Sequence, residues 1–266
     1  MRQRVRALVF SKPMRVLLVS EPGVDGVFRH VEALAAFLLA HGHGVDLAYS
    51  DVRGSDRLKQ LVIDLEAAGG QTLNLRVGNG PGLQDFWALM SLRAFVKKTR
   101  PEVIHAHSSK AGALVRALRF VGAQQPLFYT PHAYFGLAGK GGLKSLVFNG
   151  VEALLGRVGT TINLSMGEMA FAREVLRLPQ SALRLVANPV DTQRFFPAQA
   201  QRRRELKLAL GVPEDAVLLG SVGRLAFQKD PLTLYRAFAL ALKKCPQLWL
   251  YHLGDGELTA ECEALA

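Results

Sequence analysis

The chain has 266 residues, 49% of them hydrophobic, enough apolar material for one large domain or two ordinary ones, and this excludes a disordered protein. Thirty-three Lys and Arg stand against 22 Asp and Glu, a net charge of +11, so an anionic partner is expected: phosphate-bearing substrates or an acidic lipid surface. Nucleic acid is not expected, because no nucleic-acid motif occurs and aromatics do not interleave with the basic residues. In chain order, residues 1–13 carry Arg2, Arg4, Arg6 and Lys12 with no acid, and read as a basic tail. Leu8 to Phe10 is too short an apolar run for a signal-peptide core.

Regular alternation then begins. Strands are predicted over Arg15–Ser20, 45–49, 72–77, Val103–His107, Leu127–Thr130, 161–164 and 183–187. Helices are predicted between them over 29–40, 58–68, 86–98, 111–121, Leu143–Leu155 and 168–176. Strands that alternate with helices imply an α/β fold with a parallel sheet covered on both faces. Asn188 to Gln201 breaks the rhythm with two prolines and no periodicity, and reads as an inter-domain linker. A second series follows: helix 203–210, strand 217–219, helix 231–244, strand Leu248–Leu253 and helix 258–265. The predicted domains are therefore 14–190 and 191–266, the second holding only the beginning of its sheet. Cys245 and Cys262 form no CxxC pair and suit a reducing, cytoplasmic compartment. No apolar run reaches membrane-spanning length. The helix Leu143–Leu155 places Lys144 beside Leu146, Val147, Phe148 and Val151, which suits either a core-facing helix with one solvated lysine or contact with an anionic membrane surface.

Several strand ends carry chemistry. The loop from Gly23 to His30 has two glycines, Gly23 and Gly26, but is not GxGxxG, so it is either a tight turn or a place of close backbone approach to an anion. His105 and His107 alternate with apolar residues and share a face. A metal site there needs a third ligand, and none is evident, so no metal is expected. Ser108 or Ser109 is a natural N-cap, and Lys110 in the first helical turn opposes the helix dipole unless an anion lies near. His132 ends a strand in Thr-Pro-His-Ala, as a cleft residue or a buried structural histidine. The segment 136–142 (GLAGKGG) is a glycine-rich connection or a gating loop. In the second series, Gly220-Ser-Val-Gly-Arg-Leu-Ala-Phe-Gln-Lys-Asp-Pro231 is a strand-to-helix loop with a small-residue bend and two cations, Arg224 and Lys229. It is a solvated loop or a diphosphate site. Gly254-Asp-Gly256 ends the next strand.

In this order, the stretches MRVLLVSEPGVDGVFRHVEALAAFL, VIHAHSSKAG, YTPHA, NPVDTQRFFP, SVGRLAFQKDP and LGDGEL resemble the retaining glycosyltransferases of family four with the GT-B fold, over 14–266. Bacterial polysaccharide-assembly members are the most similar. The resemblance implies two Rossmann-like domains across a cleft, an acceptor-side first domain and a second that binds the nucleotide sugar. By it, Arg224 and Lys229 hold the donor diphosphate and act with His132 as the catalytic residues. Gly23, Gly26, Asn188, Gly223, Gly254 and Gly256 line the donor, while His107, Ser109 and Lys110 face the acceptor. Pro189 stands where many members have glycine, and the family's glutamate pair, eight residues apart, has no counterpart before Ala266.

The implied function is transfer of a sugar from a nucleoside diphosphate sugar to the hydroxyl of a lipid-linked or saccharide acceptor in cell-surface polysaccharide synthesis, with retention of anomeric configuration. The expected place is the cytoplasm, at the inner membrane face. No cofactor or metal is expected beyond the donor substrate, since fixed cations can stabilise the departing diphosphate. Two alternatives stand beside it: a non-hydrolysing sugar-nucleotide epimerase of the same architecture, and a catalytically inactive nucleotide-sugar-binding fragment.

Overall fold

The computed structural model describes residues 12–78, 80–138 and 142–266. Residues 1–11 of the expected basic tail, and 139–141 of the glycine-rich segment, lie outside the described residues. The chain divides into two compact units, Met1–Pro189 and Val190–Ala266.

The first unit has strands β1 (Arg15–Ser20), β2 (Gly44–Tyr49), β3 (Thr72–Asn74), β4 (Val103–His107), β5 (Leu127–Thr130), β6 (Thr160–Asn163) and β7 (Leu183–Leu185). They form one parallel sheet in the order β3-β2-β1-β4-β5-β6-β7. Its helices are α1 (Asp25–Ala40), α2 (Asp56–Ala67), α3 (Gln84–Thr99), α4 (Ser109–Ala117), α5 (Leu143–Leu155) and α6 (Met166–Glu174). The pleat of β1 explains the two layers. Leu17 and Val19 pack with Ile104, Ala106, Leu92 and Val115 towards α3 and α4. Val16 and Leu18 pack with Val31, Ala35, Leu61 and Leu65 towards α1 and α2. A strand covered on both faces favours apolar residues at successive positions, and RVLLVS meets that demand between its first and last residues.

Boundaries differ from expectation where a side chain intervenes. The third strand stops at Asn74, three residues early, because Arg76 adopts φ +53° and donates its amide to Asn74 Oδ1 at 3.0 Å. Helix α1 begins at Asp25, four residues before the predicted start, with the expected loop residue Gly26 in its first turn.

Polar groups fasten α4 and α5 to the sheet. Gly112 of α4 lies so close to Tyr129 of β5 that a Cβ would run into the ring. Arg116, 1% exposed, stacks on the same ring at 4.1 Å from its centroid and donates to Glu152 of α5 at 2.9 Å. Tyr129 donates its hydroxyl to the other oxygen of Glu152 at 2.7 Å, and Glu152 is 5% exposed. Because α5 turns its polar residues Ser145 and Glu152 inward, its apolar residues point out: Leu143 is 77% exposed and Leu154 70%. The helix is therefore not the core-facing one of the two expected forms.

The second unit has α7 (Ala200–Ala209), β8 (Val217–Val222), α8 (Pro231–Leu242), β9 (Leu248–Leu253) and α9 (Thr259–Glu263). Strands β8 and β9 pair in parallel, from Val217 opposite Leu248 to Val222 opposite Leu253. Gly220 and Ser221 belong to β8, opposite Tyr251 and His252, and do not bend the chain as expected; the turn begins at Gly223. Val217 and Leu219 on one face, and Val222, Trp249, Tyr251 and Leu253 on the other, are exposed, so both faces of this two-stranded sheet carry uncovered apolar residues.

Removing one partner of a buried ion pair leaves the other charged and unpaired. Glu152→Ala should therefore lower stability to urea by about 3–5 kcal/mol. Leu154→Ala, on the exposed side of the same helix, should change it by less than about 0.5 kcal/mol.

Candidate active site

The strand order reverses between β1 and β4, and in such sheets ligands bind beyond the carboxyl ends of the strands at that point. Here β1, β4 and β5 end side by side in Glu21, Ser108 and His132. Four imidazoles gather there. His105 and His107 leave the same face of β4, with ring centroids 4.1 Å apart. His132 follows β5 at φ +56°, a backbone state that bends its side chain back towards β4. His107 Nδ1 stands 3.1 Å from His132 Nε2. His30, one turn beyond Gly26 on α1, packs 4.8 Å from the His132 ring and 5.3 Å from that of His107. Its Nδ1 meets Asn188 Oδ1 at 2.9 Å, and His105 Nε2 meets Thr130 Oγ1 at 2.9 Å.

Burial holds these rings neutral. His105 and His132 are pushed down to about 3, mainly because their charged forms lose water and secondarily because the other imidazoles stand near. His107 is lowered well below the usual range for the same reasons, and His30 is lowered by burial against the opposing effect of Asn188. A neutral imidazole offers one donor and one acceptor, which suits sugar hydroxyls. His107 Nε2 is buried without a hydrogen-bond partner. The third imidazole that a metal site lacked in the sequence is thus His30: ring nitrogens of His30, His107 and His132 lie within 4.8 Å of one another. Of these three, His107 and His132 stand within hydrogen-bonding distance.

The expected donor residues of this unit divide. Gly26 faces open space and, with His30, His105, Thr130 and Asn188, lines a cavity of about 750 Å³. Gly23 does not offer its amide to a ligand: it donates to Arg53 O at 2.9 Å, and a Cβ would press on Leu58, so the residue serves packing. On the other side of the strand ends, Ser108, Ser109 and Lys110 line a cavity of about 680 Å³ with Glu21 and Arg53. Ser108, at φ +82°, occupies the N-cap without capping, and its Oγ is buried without a partner. The anion that offsets Lys110 in the first turn is Asp85: Lys110 Nζ donates to both its oxygens, at 2.6 and 2.8 Å. Glu21 is likewise held by Arg53.

In the second unit, Gly223, Arg224 and Lys229 follow β8, and Gly254 and Gly256 follow β9. Arg224 and Lys229 are exposed and make no ion pair among the described residues. Asp230 ends the loop at φ +49° and accepts from Thr233 at 3.3 Å, starting α8 with Pro231 in its first turn. Gly254 and Gly256 were expected to place backbone beside a ligand, but they place it beside backbone. A Cβ on Gly254, at φ +149°, would strike Gly223 O, and one on Gly256 would strike Leu225 O. The two loops are laced by Gly223 N to Leu253 O, Leu225 N to Asp255 O and Leu258 N to Leu225 O at 2.9–3.0 Å.

The sequence reading missed His30, Glu21, Arg53 and Asp85. His30 enters the sequence reading only as the end of the loop 23–30; because the predicted helix begins at 29, its shared face with Gly26 appears only once α1 is seen to start at Asp25. Asp85 was not, because it comes from a helix 25 residues before Lys110.

The model of Glycosyltransferase Family 4 matches residues 24–194, which hold β2 to β7 and the loops that follow β4 and β5. The chain belongs to Glycosyltransferase Family 4. It is 27% identical over 179 residues to an Escherichia coli enzyme, UDP-Gal:alpha-D-GlcNAc-diphosphoundecaprenol alpha-1,3-galactosyltransferase, covering 66% of this chain and 46% of that one. Among solved structures it is similar to HepE of Anabaena in complex with UDP-glucose, with a TM-score of 0.67 at 20% identity over 91% of this chain and 61% of that one. Sucrose-phosphate synthase from Thermosynechococcus elongatus gives a TM-score of 0.68 at 20% identity, over 90% of this chain and 62% of that one. The family 4 chain thus spans about half to two thirds of the length of these proteins, and it shares their α/β fold.

Depressed histidines set the sign of a pH effect. Below about 6.5 the unfolded chain binds protons at these positions, while folded His105 stays neutral down to about 3. Stability therefore falls as pH drops from about 6.5 towards 3, by up to about 1.4 kcal/mol per pH unit for each such histidine. Urea unfolding between pH 6.5 and 5 should show a shallower loss in His105→Gln than in the parent, by about one proton equivalent.

Proposed function

We propose that the protein moves a sugar from a nucleoside diphosphate sugar to a hydroxyl of a lipid-linked saccharide, in the assembly of a surface polysaccharide at the cytoplasmic face of a membrane. The observation that carries this is the family match over the sheet whose strand ends hold the neutral imidazole group. The galactosyltransferase relative, whose named acceptor is a diphosphoundecaprenol-linked sugar, supports the acceptor class. Family membership also sets the epimerase alternative aside; an epimerase would release an altered free nucleotide sugar with no acceptor present.

In this reading Arg224 and Lys229 bind the donor diphosphate. Both are free cations on a loop that a 3-10 turn and the Asp230 cap fix at the end of β8. Arg gives a planar fork of donors and Lys a mobile charge, so together they meet oxygens whose negative charge grows as the glycosidic bond to the donor breaks. No metal is invoked, since these cations supply the stabilisation, and the sequence has no Asp-any-Asp pair. His132, neutral at physiological pH, donates or accepts at a hydroxyl of the transferred sugar, beside Gly26 and Asn188 on the donor side. His107, Ser109 and Lys110 face the acceptor.

Leaving-group charge is larger in the transition state than in the bound substrate, so each cation should act on kcat more than on KM. Arg224→Ala and Lys229→Ala are each expected to lower kcat roughly tenfold to a thousandfold in a transfer assay with a labelled UDP-sugar and a diphospholipid-linked saccharide, and EDTA should leave the parent rate unchanged. Unchanged kcat in both variants would remove them from the mechanism.

The membrane contact rests on side chains that a watery surface does not require. Leu83, Phe86 and Trp87 on and before α3, and Leu143, Leu146, Val147 and Leu154 on α5, are exposed, with Lys144 among them. Among the described residues no helix is long and apolar enough to cross a membrane, so the contact is one of surface residues. Sedimentation with anionic vesicles should pull the protein down more strongly than neutral ones do, and less as salt rises. Equal binding to both kinds would count against the charge.

A further inference from the structure

We propose that the groove between α3, α4 and α5 holds the isoprenoid chain of the lipid-linked acceptor, with the diphosphate end in the cavity at the start of α4. The inference rests on the acceptor class proposed above and adds where that acceptor lies.

The groove encloses about 430 Å³, within the range of small-ligand sites. Its walls are mostly apolar, with Phe86 and Leu89 from α3, Ala113 and Ala117 from α4, Val151 and Leu155 from α5, and the paired charges of Asp85, Lys110 and Glu152 also line it. Ala113 and Ala117 are four residues apart, so two methyls on one face of α4 form a narrow floor rather than filling the gap. Larger side chains there would close it. Depth comes from the Arg116–Glu152 pair, which fixes the spacing of α4 and α5 from beneath.

The groove is continuous with the cavity of about 680 Å³. Pro81, Ser109, Lys110, Val147 and Phe148 line both. The second cavity is the cationic one: Arg53, Lys110 and Lys144 line it. Arg53 and Lys110 are matched by Glu21 and Asp85, while Lys144 has no ion-pair partner among the described residues. An apolar channel that opens into a cavity of net positive charge fits a molecule with a long hydrocarbon at one end and a strong anion at the other. An amphipathic peptide would leave the cationic end unused. A free nucleotide would leave the channel empty.

A farnesyl diphosphate carrying a diazirine on its terminal isoprene tests this on the whole chain, with adducts mapped by mass spectrometry. Saturable labelling is expected within 86–89, 113–117 and 147–155, with protection by unlabelled farnesyl diphosphate. Ala117→Trp should cut it about tenfold, the equivalent of leaving two methylenes in water. Lys144→Glu, at the surface and harmless to packing, should weaken labelling as well, and the diazirine probe built on farnesol without the diphosphate should label less. Adducts elsewhere, or labelling indifferent to both substitutions, would overturn the groove. Titration with UDP separates the two levels: with UDP binding intact, such a failure removes the groove alone, and with UDP binding also lost it removes the transferase reading too.

Discussion

The α4–α5 part of the first unit depends on an ion pair buried under it. Arg116 and Glu152 are both out of water, and each is tolerable there only because the other is present. Tyr129 completes the set by accepting the guanidinium on its ring face and giving its hydroxyl to the carboxylate. Gly112 is the geometric condition, since any side chain there would lift α4 off the ring. This one contact holds β5, α4 and α5 in a fixed relation. The start of α4, where Ser109 and Lys110 stand, and the end of β5, where His132 stands, are positioned by it together. A shift of α4 would move the expected acceptor residues Ser109 and Lys110.

The two units treat the cations at their strand ends in opposite ways. In the first, cations at the strand ends are spent on internal carboxylates, Arg53 on Glu21 and Lys110 on Asp85, and the working surface is left to uncharged imidazoles. Four histidines packed within a few ångströms cannot all be charged, and desolvation decides that none is. In the second, Arg224 and Lys229 are left unmatched and in water, on a loop held by backbone hydrogen bonds and by the side chains of Asp230, His252 and Glu257. Neutral hydrogen-bonding groups suit hydroxyls, and free fixed cations suit a diphosphate. The electrostatic character of each unit follows from which cations find a carboxylate inside it.

What the sequence disclosed follows from how local each determinant is. The parallel sheet was legible because strands alternate with helical periods, and because a strand buried on both faces favours an apolar run such as residues 16–19 of β1. The side-by-side placement of His107 and His132 was legible only as two strand ends, and their 3.1 Å contact required knowing that β4 and β5 are neighbours. The role of Lys110 was half legible: a lysine in the first turn of a helix demands an anion, but the sequence does not say that Asp85 supplies it. Glycines misled most. Gly23, Gly254 and Gly256 look alike as permission for close approach, and what approaches them is Leu58 or another stretch of backbone. Each of these three marks a place with no room for Cβ, and the reason for the lack of room is tertiary.

Helix α5 shows how far one buried pair can reach. Its sequence, LKSLVFNGVEALL, has too much apolar character for a surface helix and would by ordinary rules turn its leucines inward. Ser145 and Glu152, seven residues apart, share a face, and the demand of Arg116 for a carboxylate turns that face to the core. Leu143, Val147 and Leu154 are then carried to the far side by the helical period, whatever their own preference for burial. Left in water, each is a small cost. Collected on one side of one helix, next to Lys144 and above an apolar groove, they become a surface whose cost is recovered when something apolar covers it. The charge buried on one side of the helix and the hydrocarbon displayed on the other are thus a single consequence of Glu152.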